Sequence, residues 1–436
     1  MYKKYLKDFL ILSISFLMAL IYLYYLKPLV DDEIYNYGFA NNIINGLIPY
    51  KDFNMIILPL YPYLLALFLI IVGNRLIVYH ISLSLIIAFI TWYSSKKIKY
   101  NSIIIFLLLL VYPYTGYNMF CLLLLFILFI IKDKNKEVIE AIIISMMFLT
   151  KQTLILLIIP SIINSKKKFK TISVYLISFF LLLLYLIINN NLHQFLDYCF
   201  FGMFDFTANN NTGTKGFLFF ELLIIIYLIY IIIKEKRKDL LYLLLFQIIV
   251  FPIVDYFHFI IGFIPVVYCL LDRYNKNFIF KLFTFASVIT FFILLNSSTI
   301  KDRNILYHYN IKNYMYHRYT LNITNDYLKN IDDYSKKYSD YKLYILSNYA
   351  YIIKLNLDLP INKYDIINRG NMGYKGEDKY IKEIDEYCQN NKCLFIVNEN
   401  EIAPEARTQT SEKIIKYIIK EYRRIQSSNT FNIYIN

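Results

Sequence analysis

The chain has 436 residues, of which 58% are hydrophobic and 18% charged, and its formal net charge is +14. A mean hydropathy of +0.45 is too high for a soluble domain of this length, and apolar runs recur over the first 295 positions. Lys and Arg lie mostly in short clusters between those runs, a pattern that reports membrane orientation, so nucleic acid is not expected as a partner.

The first apolar run covers 9–26 and follows a basic cluster at 3–7. Basic residues before a first span favour the cytoplasm, so the N-terminus is predicted to be cytoplasmic and the acidic run 31–33 extracytoplasmic. The dipeptide at 27–28 is Lys-Pro, and no small-residue cleavage site is present. The run is therefore predicted to be a membrane span and not a cleaved signal peptide.

Ten further apolar runs are predicted to span the membrane: 56–72, 76–95, 102–131, 137–149, 153–163, 171–188, 217–233, 239–254, 257–271 and 278–295. Four basic clusters between them are predicted to be cytoplasmic: 132–136, 166–170, 234–238 and 273–281. The less basic loops 189–216 and 255–258 then lie outside. The protein is predicted to lie in the plasma membrane of the cell. Eleven crossings from a cytoplasmic start place its C-terminus outside the cytoplasm.

Three features depart from a simple alternation of spans and loops. The lysines within 96–99 fall on the outer side, against the positive-inside rule. The run 102–131 is long and contains Pro113, which removes a helical hydrogen bond, so a re-entrant hairpin is an alternative there. The runs 137–149 and 153–163 are short for full spans, and a hairpin entering from the cytoplasmic face is their alternative. The number of spans is thus predicted to within about two.

The segment 299–436 differs in kind from the membrane body 1–298, since it is polar with short apolar bursts. The bursts 344–346 and 393–397 are typical of buried strands in a parallel sheet. Helices are predicted for 376–390 and 411–424, and a last strand for 431–434. This alternation predicts a small extracytoplasmic α/β domain. Cys388 and Cys393 form either a small-loop disulfide or two free thiols, and the glycines of 370–376 favour a simple loop over a phosphate-binding one.

The first predicted outer loop, about 27–55, begins with three adjacent carboxylates, Asp31, Asp32 and Glu33. Ionisable groups close to lipid are costly, so they indicate function unless they merely begin a solvated loop. Read onward, Asp32-Glu33-Ile34-Tyr35 leads to Gly46-Leu47-Ile48-Pro49-Tyr50-Lys51-Asp52-Phe53 and to Pro59-Leu60-Tyr61-Pro62-Tyr63. This stretch resembles the GT-C superfamily of membrane glycosyltransferases, in the branch of protein O-mannosyltransferases and aminoarabinose transferases.

Two looser matches and one departure accompany that resemblance. The turn Leu149-Thr150-Lys151-Gln152-Thr153 resembles a Thr-Lys-Gln turn of the same branch, and His258 with Pro265 resembles a late His-Phe…Pro segment. Some members carry a second acidic residue in a later outer loop, whereas this chain has Asn118 near that place. The resemblance covers the architecture of about 1–295, but only 31–63 carries specific motifs.

The resemblance implies transfer of a sugar from a polyprenyl-phosphate donor to a cell-envelope acceptor at the outer surface of the membrane lipid. Such transfer needs a base for the acceptor hydroxyl and a counter-charge for the departing phosphate. Asp32 is the candidate base, and Glu33 or Asp31 is expected to position the acceptor or a divalent metal ion. The candidate phosphate partners and other substrate-binding residues are Lys151, His258, Tyr35, Tyr61 and Asp52.

Each candidate also has a simpler explanation. Lys151 is otherwise a lysine that extends to water from a hairpin turn, and His258 and the tyrosines are otherwise interfacial side chains. Two other functional classes stay open. A transporter or flippase of lipid-linked sugars would share the spans but would not need an acidic cluster and an outer domain, and no internal repeat is visible. A non-enzymatic or polymerase-type envelope protein typically has a large central outer loop, whereas here the largest polar part is C-terminal.

Overall fold

The computed structural model describes residues 2–26, 31–111, 115–132, 136–204, 215–235, 240–251, 256–274, 286, 289, 304–306, 317–319, 325–347, 350–365, 367, 371–398, 411–427 and 431–436. Within these ranges the first 274 residues are helical and the last 133 combine helices with short strands. The predicted span 278–295, Pro113 and Asp255 lie outside the described residues, as does the predicted domain boundary at 298–299.

Thirteen helices are described in the first 274 residues. They are α1 Tyr2–Ile21, α2 Asp31–Ile44, α3 Leu60–Val72, α4 Leu76–Ile98, α5 Ser102–Val111, α6 Gly116–Lys132, α7 Glu137–Phe148, α8 Ile158–Asn164, α9 Lys168–Ile188, α10 Leu192–Leu196, α11 Lys215–Glu235, α12 Leu240–Phe246 and α13 Tyr256–Arg273. Single π or 3₁₀ turns extend α1 (Tyr22–Leu26), α10 (Asp197–Phe201) and α12 (Gln247–Val250), and the 3₁₀ turn Gln152–Leu157 precedes α8.

Among the described residues, four stretches of helix are long and apolar enough to cross a membrane: Tyr5–Tyr24, Leu76–Val111, Lys168–Ile188 and Phe217–Glu235. Shorter apolar helices lie beside them. Their outward side chains are apolar, as on Ile177 and Ile233, because lipid and not water is the surrounding solvent. The chain is therefore a membrane protein.

One end of the helical bundle carries α2, and we call it the α2 face. Helix α4 starts there, since His80 contacts Glu33 of α2, and the α7–α8 hairpin turns there, since Leu60 N–H donates to Leu149 C=O over 3.2 Å. The opposite face carries the start of α1, where Asp8 pairs with Lys96 at the end of α4. Glu137 binds the backbone N–H groups that precede α9 on this opposite face (3.0 and 2.8 Å).

This arrangement explains the lysines that seemed misplaced. The start of α3 and the start of α4 both pack against Gly116 through the hydroxyls of Tyr61 and Tyr79, and Asn74, between the two helices, hydrogen-bonds Asn41 of α2 (2.7 Å). Both ends of α3 thus lie at the α2 face, and α3 does not run from one face to the other. The prediction of a span at 56–72 is wrong for that reason. Lys96 consequently lies on the same face as the N-terminus.

The two irregular apolar runs are hairpins. The run 102–131 is divided into α5 and α6, with Gly116 at the α2 face. The runs 137–149 and 153–163 form α7 and the 3₁₀–α8 segment, and their turn reaches the first loop through Leu149. The described residues beside each turn, Gly116 and Leu149, lie at the α2 face. The re-entrant hairpin and the hairpin entering from the cytoplasmic face stay predictions.

The C-terminal part contains a four-stranded sheet in the order β3-β4-β6-β5. Its strands are β3 Lys342–Leu346, β4 Cys393–Val397, β5 Arg423–Ser427 and β6 Asn432–Ile435, and a separate hairpin pairs β1 Asn304–Leu306 with β2 His317–Tyr319. Strands β3 and β4 are parallel with Tyr344 opposite Phe395, as predicted, while β6 is antiparallel to both its neighbours. Helices α14 Asn325–Lys337, α15 Ala350–Leu357, α16 Gly376–Cys388 and α17 Glu412–Glu421 connect the strands. Cys388 and Cys393 form a disulfide, which decides between the two alternatives.

The C-terminal part is docked on the α2 face. Asn54 in the first loop donates to Asn371 C=O over 3.0 Å, and its own N–H donates to Lys363 C=O over 2.9 Å. Asp197 accepts hydrogen bonds from Tyr374 N–H (3.0 Å) and from the Lys379 ammonium (2.7 Å). These contacts hold the sheet-containing part against the loops at which the candidate site lies.

Candidate functional site

The first turn of α2 is fixed to α4 by a buried pair of ionisable side chains. Glu33 is 1% exposed, and its carboxylate contacts Nε2 of His80, which is fully buried. The ring of Tyr24 stands edge-on to the imidazole, with centroids 6.1 Å apart. Because separating the two side chains would leave a buried carboxylate without its partner, the contact holds the turn in one position. Sequence reasoning missed His80, although an ionisable residue inside an apolar span was the available signal.

Asp32 lies on the same turn with a different environment. Successive residues on a helix project about 100° apart, so Asp32 does not follow Glu33 towards His80. Its side chain is partly exposed, and Asn36 donates to its backbone C=O over 2.5 Å. Of Asp32 and Glu33, Asp32 is the carboxylate that is partly exposed, while the side chain of Asp31 lies outside the described residues.

Two carboxylates of the acidic run can be compared as metal ligands. Asp32 and Glu33 stand on consecutive positions of α2, so their side chains point in different directions, and Glu33 is already engaged by His80. Among the residues that the structure describes, no group of three His, Cys, Asp or Glu side chains could hold a metal ion. Glu33 is thus occupied by His80, and a metal role for Asp31 and Asp32 stays a prediction.

The start of α6 connects this turn with the second candidate region. Gly116 packs directly against the hydroxyls of Tyr61 and Tyr79, where a Cβ atom would overlap the Tyr61 hydroxyl. Two residues further, Asn118 Oδ1 accepts a hydrogen bond from the Lys151 ammonium over 3.1 Å. One turn of α6 therefore lies between the acidic turn of α2 and Lys151.

Lys151 is buried, with 7% of its surface exposed. Its ammonium donates to Asn118 Oδ1 and, over 2.7 Å, to Ile249 C=O, and it lies 5.8 Å from the centre of the Tyr117 ring. The described contacts of this ammonium are thus an amide oxygen, a carbonyl oxygen and an aromatic ring. The alternative of a lysine extending to water is wrong, because the side chain is directed into the bundle.

The other candidates are spread over the α2 face. Tyr35 packs edge-on against Tyr351 of α15 with centroids 6.1 Å apart, so it contacts the C-terminal part. Tyr61 is buried beside Phe120 and is not an interfacial side chain. Asp52 accepts the N–H of Ile48 over 2.8 Å and thereby closes the turn of the first loop.

His258 is half-buried on the first turn of α13. One turn further, Gly262 packs against Gln247 and Val250, which flank the carbonyl that Lys151 binds. The structure therefore brings Asp32, Lys151 and His258 to one face of the bundle, on three different elements.

Comparisons with known proteins add little to these observations. No protein-family model matches the chain, and no curated protein matches it. One similar solved structure is the crystal structure of an Archaeoglobus fulgidus oligosaccharyltransferase in complex with zinc and sulfate, at 14% identity and a TM-score of 0.49, over 97% of this chain and 72% of that one. At this TM-score the likeness supports no conclusion about activity, and the proposal below is derived from the residues of this chain.

Proposed function

We propose that the protein is an integral-membrane glycosyltransferase that moves a sugar from a polyprenyl-phosphate donor to a cell-envelope acceptor. The observation that carries the proposal is the position of Asp32: a partly exposed carboxylate on a turn that Glu33 and His80 fix to an apolar bundle. A lipid-linked donor requires a site that is beside lipid and yet holds a charge in a fixed place. The motif resemblance over 31–63 points to the same activity.

The proposed reaction uses charges of opposite sign at the α2 face. Asp32 takes the proton of an acceptor hydroxyl as that oxygen bonds to the anomeric carbon of the donor sugar. The bond from that carbon to the phosphate oxygen breaks, and its electron pair goes to that oxygen. The phosphate leaves while still attached to its lipid. Lys151 and His258 are the groups proposed to stabilise that phosphate. Glu33 acts through His80 as a positioning residue.

The proposal includes an orientation. Every described helix of the bundle except α2, α3 and α10 is taken as a crossing, and 278–295 as the eleventh. The α2 face is then extracytoplasmic, because the basic clusters follow helix ends on the opposite face. The disulfide between Cys388 and Cys393 supports this side, since disulfides persist in oxidising compartments.

The test is sugar transfer by purified protein in proteoliposomes. Polyprenyl-phosphate mannose, glucose and galactose, each radiolabelled, are supplied with cell-envelope extract, and label is followed from the lipid to the acceptor fraction. Asp32→Asn is nearly isosteric but removes the base, so transfer should fall roughly 10²- to 10⁴-fold. The matched control is Asp333→Asn, an exposed carboxylate on α14, which should transfer normally. Near-normal transfer by the Asp32 variant would contradict the assignment.

A further inference from the structure

A polar cavity of about 540 Å³ lies where α2 meets α15, away from the first turn of α2. Asn41 and Asn45, at the end of α2, line one side, and Tyr351, Lys354 and Asp358, along α15, line another. Such a volume is ordinary for small-molecule sites, which hold roughly 300–1,000 Å³.

The cavity offers hydrogen-bonding groups that the protein does not use. Asn41 Oδ1 accepts from Asn74, which leaves the Asn41 amide N–H groups available. Within the part of the chain that the structure describes, the Asn45 amide and the Asp358 carboxylate have no side-chain partner. Carboxamides donate and accept at once, as vicinal hydroxyls do.

A buried ammonium adds two further donors. Lys354 is 2% exposed and donates one hydrogen bond, to Asp365 Oδ1 over 2.5 Å. An ammonium has three N–H donors, so two remain for a ligand in the cavity that Lys354 lines. Burial lowers the pKa of Lys354 and raises the pKa of Asp365, and the pairing offsets both effects.

The charge and the shape of the lining select the ligand. The charges of Lys354 and Asp365 cancel, and Asp358 leaves the cavity slightly negative, which disfavours a phosphate. Apolar side chains of Leu47 and 359–361 complete the lining. A mixture of amide, charged and apolar surface matches a pyranose, which has hydroxyl groups around its rim and C–H groups on its faces.

We infer that this cavity binds a neutral oligosaccharide, and that it holds the part of a glycan acceptor that does not react. Binding stands on the cavity alone, whereas the role as acceptor rests on the proposed function. Asn41 is nine residues from Asp32, about 14 Å along α2 at 1.5 Å per residue, so the cavity contacts are remote from the transferred sugar. Removing these contacts should therefore raise the KM for the acceptor.

The experiment is saturation-transfer NMR on the full-length protein in detergent micelles. The probes are maltose, cellobiose, chitobiose, lactose and mannobiose, with inorganic phosphate as competitor. Asn45→Leu is the test variant, because Asn45 is exposed and makes no side-chain hydrogen bond in the described structure. Asn390→Leu is its matched control, an exposed Asn that likewise follows a helix end.

We expect saturation transfer to at least one disaccharide, binding weakened roughly three- to tenfold by Asn45→Leu, and no displacement by phosphate. Three results would each overturn the inference. They are absence of saturation transfer to all five sugars, equal sugar binding by wild type and Asn45→Leu, and displacement of the bound sugar by phosphate. Sugar binding without any glycosyl transfer would leave the cavity assigned and remove the proposed function. Glycosyl transfer that depends on Asp32, without binding of any sugar in this cavity, would support the proposed function and remove the inference about the cavity.

Discussion

Neighbouring residues of the acidic run differ in what surrounds them. Glu33 is enclosed with His80, while Asp32, one position earlier, is partly exposed at the same turn. Glu33 is thus engaged by His80, whereas the Asp32 side chain reaches the surface, and separate tasks for the two residues are part of the proposal.

Glu33→Ala should destabilise the protein by about 3–5 kcal/mol, because the variant leaves His80 buried without its carboxylate. The double variant Glu33→Leu with His80→Leu should recover most of that loss, since apolar side chains of similar volume often replace a buried pair at little cost. Thermal unfolding in detergent, followed by fluorescence, measures both. Asp333→Ala, at an exposed site, is the control and should change stability by less than about 0.5 kcal/mol. Unfolding of Glu33→Ala at the wild-type temperature would show that the pair does not hold the turn.

Lys151→Met should weaken use of the lipid-phosphate donor far more than Lys151→Arg, because charge matters more than shape for a phosphate contact. Both variants lose the fit to Asn118 and Ile249, so both should also lower the unfolding midpoint. Measuring the sugar-transfer rate at a series of donor concentrations separates weaker donor use from lower stability. The control is Lys329→Met on the exposed side of α14. If methionine leaves the donor dependence unchanged, Lys151 only joins α6 to the α7–α8 turn.

Docking between elements decides where the C-terminal part lies. The π turn after α10 carries Asp197, which is buried and receives both Tyr374 N–H and the Lys379 ammonium. Gly373 lies directly against the backbone of Gly202, so a side chain at either position would separate the segments. One carboxylate therefore binds both the loop before α16 and α16 itself, in addition to the contacts that Asn54 makes with Lys363 and Asn371.

Asp197→Ala should loosen that junction, since hydrogen bonds to a charged group contribute about 1.5–3 kcal/mol, less for the half-exposed Lys379. Amide hydrogen exchange over 371–379 should accelerate roughly tenfold, a change that corresponds to about 1.4 kcal/mol. Mass spectrometry of deuterated peptides measures it. Asp326→Ala on α14, an exposed carboxylate outside the junction, should leave the same peptides unchanged. Equal exchange in wild type and Asp197→Ala would show that other contacts hold the segments together.

The whole molecule has its polar C-terminal part, its first loop and the turns of both internal hairpins on one face. The start of α1 and the basic helix ends lie on the other. The proposed orientation makes the first of these faces extracytoplasmic.

Protease added to intact, wall-stripped cells should therefore remove the C-terminal segment from about 300 onward. The reason is that 371–398 and 411–427 lie on the same face as α2, which the positive-inside rule assigns to the outside. Immunoblotting against a C-terminal tag measures the cleavage, and a cytoplasmic tag before Lys3 should stay protected. Protection of the C-terminal tag until the membrane is permeabilised would reverse the orientation and place the site on the cytoplasmic side.

Much of the fold was predictable from sequence because its causes are local. Apolar length and basic clusters predicted the helical membrane body, and alternating strand and helix patterns predicted the parallel pair β3–β4 and the helices α16 and α17. The candidate residues Asp32 and Lys151 were likewise found from charge beside apolar runs. Their roles stay predictions, since only experiment tests them.

Other features depended on tertiary contacts. Hydropathy cannot distinguish a helix that crosses from α3, whose two ends both pack at the α2 face, and this is why the lysines near 96 seemed misplaced. The partner of Glu33 lies 47 residues away, and the cavity is formed by helices more than 300 residues apart. Sequence therefore determined which segments are apolar, helical or charged, because those properties reside in each segment. Only the packed structure decided which charges are buried together, because that depends on which segments meet.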